Sequence, residues 1–401
     1  MLKNLKENNI LYNIQIILFF TLLYYLIKKS QSSRDIILMG GLILVTIIRN
    51  YKEKIYLKIS RKTFLLVIMY TTYIVLNYLF LSKNYNNIVT FKMCESLIKS
   101  FILFLLMTQI KFNKNIQNLI CPLFLLGTLN PIIKGLIIIK KVGFFKSRIG
   151  IWENPNYYSM ILGIFIIISI FSFFKYKSYF VKSLSCFVFI TSFVIIAGLT
   201  QSKTAFLGVL AVLFIFSFDV LKGKFIKWKI GLGIIFILFL LFLWNQNARI
   251  LTTFKLNHIL HDGRLMLWNI GINKFLEEKN YLFGLGIGYF SNNLIDFYGI
   301  KLGALHNDFI ETLVTQGLIG VILYYGVLCN FLCDLYKKIS ENEFAKIGIY
   351  CIIYLTIIGM SDIANLSLRV PQLIFLICGL GINNSLKTNV YENGRGGGDY
   401  K

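Results

Sequence analysis

The stretch GALHNDFIETLVTQGLIG (303–320) sets His306 two residues before Asp308 and five before Glu311, and then turns apolar. A histidine and carboxyls this close together are the side chains that move protons near neutral pH. The chain holds only three histidines in 401 residues, so the position of this one carries information. Asp308 and Glu311 have the D-x-x-E spacing of a helix capping box, which predicts Asp308 as the N-cap and Glu311 reaching back to the cap's backbone N–H. His306 then lies two residues outside a helix start. The positive end of a helix disfavours an added proton, which keeps the imidazole neutral and able to accept one. The plainer reading is a loop histidine bonded to a neighbouring carbonyl. His258 and His261 lie in no motif and read as solvated.

Upstream, DGRLMLWNIGINKFLEEKNYLFGLGIGYF (262–290) sets Arg264 and Trp268 one helical turn apart, ahead of a glycine-rich turn. GLGIGY lacks the strand–turn–helix context of a nucleotide loop. Its glycines instead allow the connection to fold tightly against helices. The seven cysteines (Cys94, Cys121, Cys186, Cys329, Cys333, Cys351 and Cys378) lie in or beside apolar runs at scattered spacing. Cys329 and Cys333 share a helix face, but no His or acid completes a metal set, so the cysteines read as packing residues without disulfides. No cofactor and no metal are expected.

The elements that must position these residues are helices in a membrane. Hydrophobic residues make up 56% of the chain and the mean hydropathy is +0.68. Apolar segments fall near 10–27, 36–48, 63–82, 96–110, 116–138, 157–174, 180–200, 204–220, 228–244, 309–333, 344–360 and 366–382. The fold class is therefore all-α, a polytopic integral membrane protein with about 12 transmembrane helices. Residues 1–390 read as a single membrane domain. Residues 391–401, including GRGGGDYK, read as a disordered tail carrying tag residues. The first apolar run follows MLKNLKENN with no small-residue cleavage site and reads as a retained span. Pro122 and Pro131 are expected to kink the fifth segment.

Forty-two Lys and Arg against 18 Asp and Glu give a formal charge of +24. The basic residues cluster between spans rather than on one soluble face, so membrane orientation accounts for the excess and nucleic acid is not an expected partner. The basic gaps 49–62, 111–115, 175–182, 221–229 and 334–338 each follow an even-numbered helix. With both termini cytoplasmic, all five lie inside. The long connection 245–308, which holds every histidine, then lies outside; so does the basic stretch 140–156, on the wrong side for the rule and suited to binding something anionic.

The order GR…W…GLGIGYF…LHNDF…TQGLIG resembles the O-antigen ligase and O-antigen (capsular polysaccharide) polymerase superfamily of polytopic membrane enzymes. SRIGIWENPNYYSMILG (147–163) is similar to the family's Arg-then-Asn-Pro-Asn segment. AGLTQSKTAFLGVL (197–210) is similar to its Thr-x-Ser-Arg segment, with Lys203 where arginine is usual. The pieces follow family order and span 147–320. The resemblance implies that Arg264 and Lys203 hold the diphosphate of a polyprenyl-diphosphate-linked oligosaccharide while His306 assists transfer of its sugar, with Arg148 a further basic residue. That chemistry is coherent. A lipid diphosphate is already a good leaving group, guanidinium grips it through two bonds, and His306 deprotonates or orients the acceptor hydroxyl. Lysine at 203 supplies charge but no fork.

Glu153, Asn156 and Asp308 could shape the acceptor site, or simply form turns and caps. Arg148 and Arg264 also fit as residues snorkelling to head groups, Lys203 as an interfacial anchor, and Trp152, Trp244 and Trp268 as belt residues. Arg369 follows SDIAN near the outer end of the last helix, with no partner evident in the sequence. The expectation is a glycan polymerase at the bacterial cytoplasmic membrane, with donor and acceptor both lipid-linked, membrane lipid around it, and flippase and chain-length regulator proteins as partners. The nearest alternative is a ligase with a different acceptor. A transporter of the lipid-linked unit would show inverted repeats and midplane charges, and the sequence shows no such repeat.

Overall fold

The computed structural model describes residues 2–28, 33–53, 59–82, 88–143, 149–151, 154–220, 263–297, 300–365, 367 and 369–386. Eleven of the twelve apolar segments coincide with helices. These are α1 (Leu2–Lys28), α2 (Ser33–Glu53), α3 (Arg61–Phe80), α4 (Ile88–Gln109), α5 (Lys114–Val142), α6 (Pro155–Lys175), α7 (Tyr179–Ile195) and α8 (Lys203–Val220), then, beyond the long connection, α11 (Asp308–Lys338), α12 (Glu343–Gly359) and α13 (Val370–Ile382). The remaining segment, 228–244, lies outside the described residues. Six of the described helices are long and apolar enough to cross a membrane, a smaller number than the twelve expected; α8 and α13 are shorter apolar helices. The protein is a helical, multi-pass membrane protein. The fold is all-α as expected; the connection adds only a small antiparallel hairpin, β1 (Ile295–Phe297) against β2 (Ile300–Leu302), to α9 (Gly263–Glu278) and the short α10 (Tyr289–Asn292). Pro122 and Pro131 both lie inside α5.

Large apolar side chains face outward along the spans, among them Phe80 (77% exposed), Ile322 (68%) and Phe214 (65%). In water such a surface would drive aggregation, whereas in hydrocarbon it is simply solvated. Cys186, Cys329 and Cys333 join this exposed surface, while Cys94, Cys121, Cys351 and Cys378 are buried as packing residues. Between the helices the core is aromatic. Phe104 stacks on Phe331 at 3.9 Å between ring centroids, and Phe101 meets Tyr70 and Phe375 at 5.5 and 5.1 Å.

The helices share two polar ends. At one, Ser60 and Thr63 donate to Asp334, the backbone N–H of Asn113 donates to Tyr12, and Lys175 pairs with Glu343 at 2.9 Å. The basic gaps 49–62, 111–115, 175–182 and 334–338 therefore meet at one end of the bundle; 221–229 lies outside the described residues. At the other end Arg369, whose partner the sequence did not reveal, pairs with Asp35 at 2.9 Å, both side chains largely buried.

The connection is locked to this second end by a break in α11. Gly317 has φ 67° and ψ −171°, a conformation that side chains oppose, so the helical hydrogen bonds cannot run through it. Leu318 and Ile319 instead donate to the carbonyls of Tyr281 and Leu282 at 3.0 and 3.2 Å. In return Leu285 and Gly286 donate to Val314 and Thr315 at 2.9 and 2.8 Å. Gly284, Gly286 and Gly288 all have positive φ, and a side chain on Gly284 would run into the backbone of Gln316 and Gly317. This is the tight folding that the glycine spacing predicts. From α3, Tyr73 donates to the Gln316 carbonyl, while Asn77 both donates to Phe283 O (3.1 Å) and accepts from Ile287 N (2.9 Å).

Candidate functional site

Helix α11 starts one residue earlier than the capping-box spacing predicts. Asn307, in extended conformation, is the N-cap, and its side chain accepts from Ile310 N at 3.0 Å. Asparagine caps as well as aspartate does, which frees Asp308 for a tertiary role. Its carboxylate is buried and accepts from the N–H of Asn365 at 3.1–3.2 Å. Glu311 does not reach back to the cap; it accepts from Leu305 N at 2.8 Å.

His306 stands immediately before the cap with φ 53°. Left-handed backbone is uncommon outside glycine, and it persists only where the surroundings impose it. Here both backbone groups of the preceding residue are claimed. Glu311 takes Leu305 N–H, and the Trp268 indole donates to Leu305 O at 3.0 Å. The Leu305 side chain is buried, close against Gly271 of α9. Trp268, a candidate belt residue from the sequence, thus fixes the segment that carries the histidine.

The imidazole meets a residue that the sequence reading passed over. His306 Nδ1 lies 3.0 Å from Oδ1 of Asp362, which is almost fully buried. The same oxygen accepts from Ile363 N at 2.9 Å, and Oδ2 accepts from Asn156 Nδ2 at 2.6 Å. An ionised carboxylate only accepts, so Nδ1 carries the proton and Nε2 is left as the basic nitrogen of the ring. The His306 side chain is 32% exposed, open enough to meet a substrate. This is the histidine–carboxylate arrangement that holds one tautomer and stabilises the imidazolium formed on proton transfer.

Each residue of the Asn-Pro-Asn segment has a part in this. Asn154 caps α6, its side chain accepting from Asn156 N at 2.8 Å; Pro155 occupies the first turn, where its missing N–H costs nothing; Asn156 reaches Asp362. The carboxylate's own loop is stitched to α11. Asn307 Nδ2 donates to Met360 O at 2.9 Å, and Asn365 Nδ2 to Thr312 at 3.1 Å. Asp308, bonded to Asn365, is part of the same seam.

The four motif pieces gather around this loop, three touching it directly and the Trp268 piece joining through Leu305. Asn156 brings the first. The second follows from Ser361 donating to Thr204 at 3.1 Å, one residue along from Lys203. Trp268 brings the helix bearing Arg264, and His306 brings the fourth. The first and second pieces also meet each other, Ile149 N donating to Leu199 O at 3.2 Å. Lys203 is the first residue of α8, after a π turn (Ile196–Thr200) and a left-handed Gln201, φ 49°; Arg264 is the second residue of α9, and both side chains are partly buried. Arg148, Glu153, Trp152, Trp244, His258 and His261 lie outside the described residues. Among the described residues no group of three or more His, Cys, Asp or Glu could hold a metal ion. The site holds a histidine with a buried carboxylate partner, and the motif pieces around it bring Lys203 and Arg264 at two helix starts.

Residues 186–325 match the profile of a family described as O-antigen ligase, which supports the O-antigen ligase and polymerase superfamily and a membrane glycosyltransferase that handles lipid-linked glycan. The match takes in Lys203, Arg264 and His306 and leaves out Asn156 and Asp362. No curated protein matches the chain.

Proposed function

We propose, taking that family match as premise, that the protein is a polysaccharide polymerase acting outside the bacterial cytoplasmic membrane. It transfers a glycan chain from polyprenyl diphosphate onto a lipid-linked oligosaccharide repeat unit. The observation that carries the reading is the chain of bonds Asn156–Asp362–His306. The acceptor hydroxyl gives its proton to Nε2 of His306 as its oxygen bonds to C1 of the donor sugar. The C1–O bond breaks, and the electron pair leaves with the lipid diphosphate. Arg264 holds that diphosphate through two bonds and stabilises the charge that develops on it, with Lys203 and Arg148 adding positive charge. Asp362 stabilises the imidazolium, and Asn156 holds the carboxylate in place. Asp308 and Glu153 shape the acceptor side.

The ends of the bundle support the orientation. The end where the basic gaps gather is the cytoplasmic one, with both termini, and the site faces outward. A flippase would deliver the lipid-linked units, and a chain-length regulator would set their number. The second reading is a ligase that passes the same donor glycan to another acceptor, which the description of the matched family favours. Purified protein in liposomes, given only lipid-linked repeat units, tests the first reading. Longer lipid-linked chains formed without nucleotide or ion gradient are the expected product. No product with repeat units alone, but transfer once a different glycolipid acceptor is added, would make it a ligase. Movement of intact units across the bilayer without transfer would make it a transporter.

A further inference from the structure

A groove of ≈ 650 Å³ opens between α1 and α5, away from the site around His306. Leu23 and Tyr24 line it from α1, and Leu126, Asn130, Ile133 and Lys134 from α5; no acidic side chain is among its walls. Lys28 reaches back over the ring of Tyr24, its Nζ 5.3 Å from the centroid. Lys134 thus lines a largely apolar slot, and the Lys28 ammonium sits over one of its wall residues.

The slot lies at lipid depth. Asn113, at the start of α5, donates its N–H to Tyr12 of α1, which levels the two helices at the basic end. Counting 1.5 Å per residue puts Lys28 roughly 24 Å and Lys134 roughly 31 Å from that level, close to the far boundary of a hydrocarbon core about 30 Å thick. The apolar walls lie within the core, with Lys134 at its far edge on the site side and Lys28 about one helical turn short of that edge. An apolar chain with an anionic head group fits this pattern.

The cationic end is linked to the chemistry through α6. Tyr158, two residues after Asn156, donates to the carbonyl of Pro131 at 2.8 Å, and Gly135 packs against the same tyrosine. Pro131 and Gly135 thus face α6 while Asn130, Ile133 and Lys134 face the groove. The width of one helix, about 10 Å, separates the groove from the α6 face that carries Tyr158.

We propose that the groove seats the second lipid-linked substrate, with its isoprenoid chain between α1 and α5 and its diphosphate between Lys28 and Lys134. The inference rests on the polymerase reading, in which donor and acceptor each carry a polyprenyl diphosphate and Arg264 and Lys203 attend to only one. The choice of cation fits the division of labour. The donor's diphosphate gains charge as its bond to C1 breaks and is best met by a guanidinium fork. The acceptor's diphosphate is only held in place, and a point charge suffices.

The test uses the full protein in lipid nanodiscs with a photoactivatable polyprenyl diphosphate lacking sugar, cross-linked sites being mapped by mass spectrometry. Cross-links to α1 and α5 are expected, and they should persist in Arg264→Ala, where the donor's grip is weakened. The Lys28→Glu/Lys134→Glu pair, and separately Leu126→Trp, which fills the slot without touching charge, should each reduce them about tenfold. Excess phosphatidylglycerol should not displace the probe. Absence of groove cross-links in the wild type, no change in both variants, or displacement by phosphatidylglycerol would overturn the proposal; the last result would make the groove a site for ordinary anionic lipid. Cross-linking requires no turnover, so failure of the groove and failure of the transferase reading are separate results.

Discussion

Replacing Asp362 with asparagine separates orientation from charge, and the geometry says which is lost. The two carboxylate oxygens serve three donors: His306 Nδ1 at 3.0 Å and Ile363 N at 2.9 Å on Oδ1, and Asn156 Nδ2 at 2.6 Å on Oδ2. An asparagine has one acceptor oxygen, and it satisfies more partners when that oxygen takes the Oδ1 position. Its NH2 then faces Asn156, which turns its own amide to accept. The tautomer of His306 is kept, and what disappears is the negative charge beside the imidazolium that forms during transfer. At roughly 4 Å and an effective dielectric of 20 that attraction is about 4 kcal/mol, and the amide dipole returns part of it. A net loss of about 2–4 kcal/mol corresponds to a fall of roughly 30- to 1,000-fold in the rate of transfer. Initial rates in liposomes with lipid-linked repeat units measure it, and thermal unfolding in detergent checks the fold. His306→Ala should fall further, by about 10²–10⁴. An Asp362→Asn rate within about threefold of wild type, in a preparation where His306→Ala is inactive, would refute the stabilising role assigned to the carboxylate.

Other substitutions report on neighbouring parts of the argument. Arg264→Lys keeps the charge but loses the fork and should lose most activity; Lys203→Arg should be tolerated and Lys203→Ala should not, and full activity of Lys203→Ala at normal abundance would leave Lys203 as a membrane anchor. In a cysteine-free background, Glu278→Cys should be labelled by an impermeant thiol reagent in intact cells and Lys337→Cys should not; the reverse pattern would invert the membrane orientation. Gly317→Ala forces a side chain into a positive φ against the carbonyl of Leu282 and should cost about 1–3 kcal/mol, read as a lower unfolding temperature; an unchanged temperature would mean that the break in α11 is not needed.

What the sequence disclosed of this site depends on how local each signal is. His306 was legible because it is a rare residue at the start of a long apolar run, and Asn156 because Asn-Pro-Asn is a local helix start. Asp362 stood in plain sight in SDIAN, an acid between two apolar segments, but its role arises only when that loop packs on α11, 56 residues away in sequence. The helix start shifted from Asp308 to Asn307 because both residues are good caps, and only tertiary demand on the Asp308 carboxylate decides between them. Periodicity could not separate spans from other apolar helices. Length and apolar composition of the formed helices do that, and they leave six candidate spans among the described residues. The hairpin at Ile295–Leu302 is too short for alternation to declare itself.

The seam at Gly317 bears on how the chain enters a membrane. The stretch from Leu318 to Lys338 is about 31 Å long, sufficient to cross the hydrocarbon on its own. Yet the first amides of that stretch are satisfied by carbonyls from 281 and 282, residues synthesised earlier and held outside the helix. Left in lipid without them, each bare N–H would cost several kcal/mol. Insertion of α11 is therefore not complete when the helix has crossed. The segment made beforehand must remain beside it and come back to close the gap, so biogenesis of the span and assembly of the candidate site are one event.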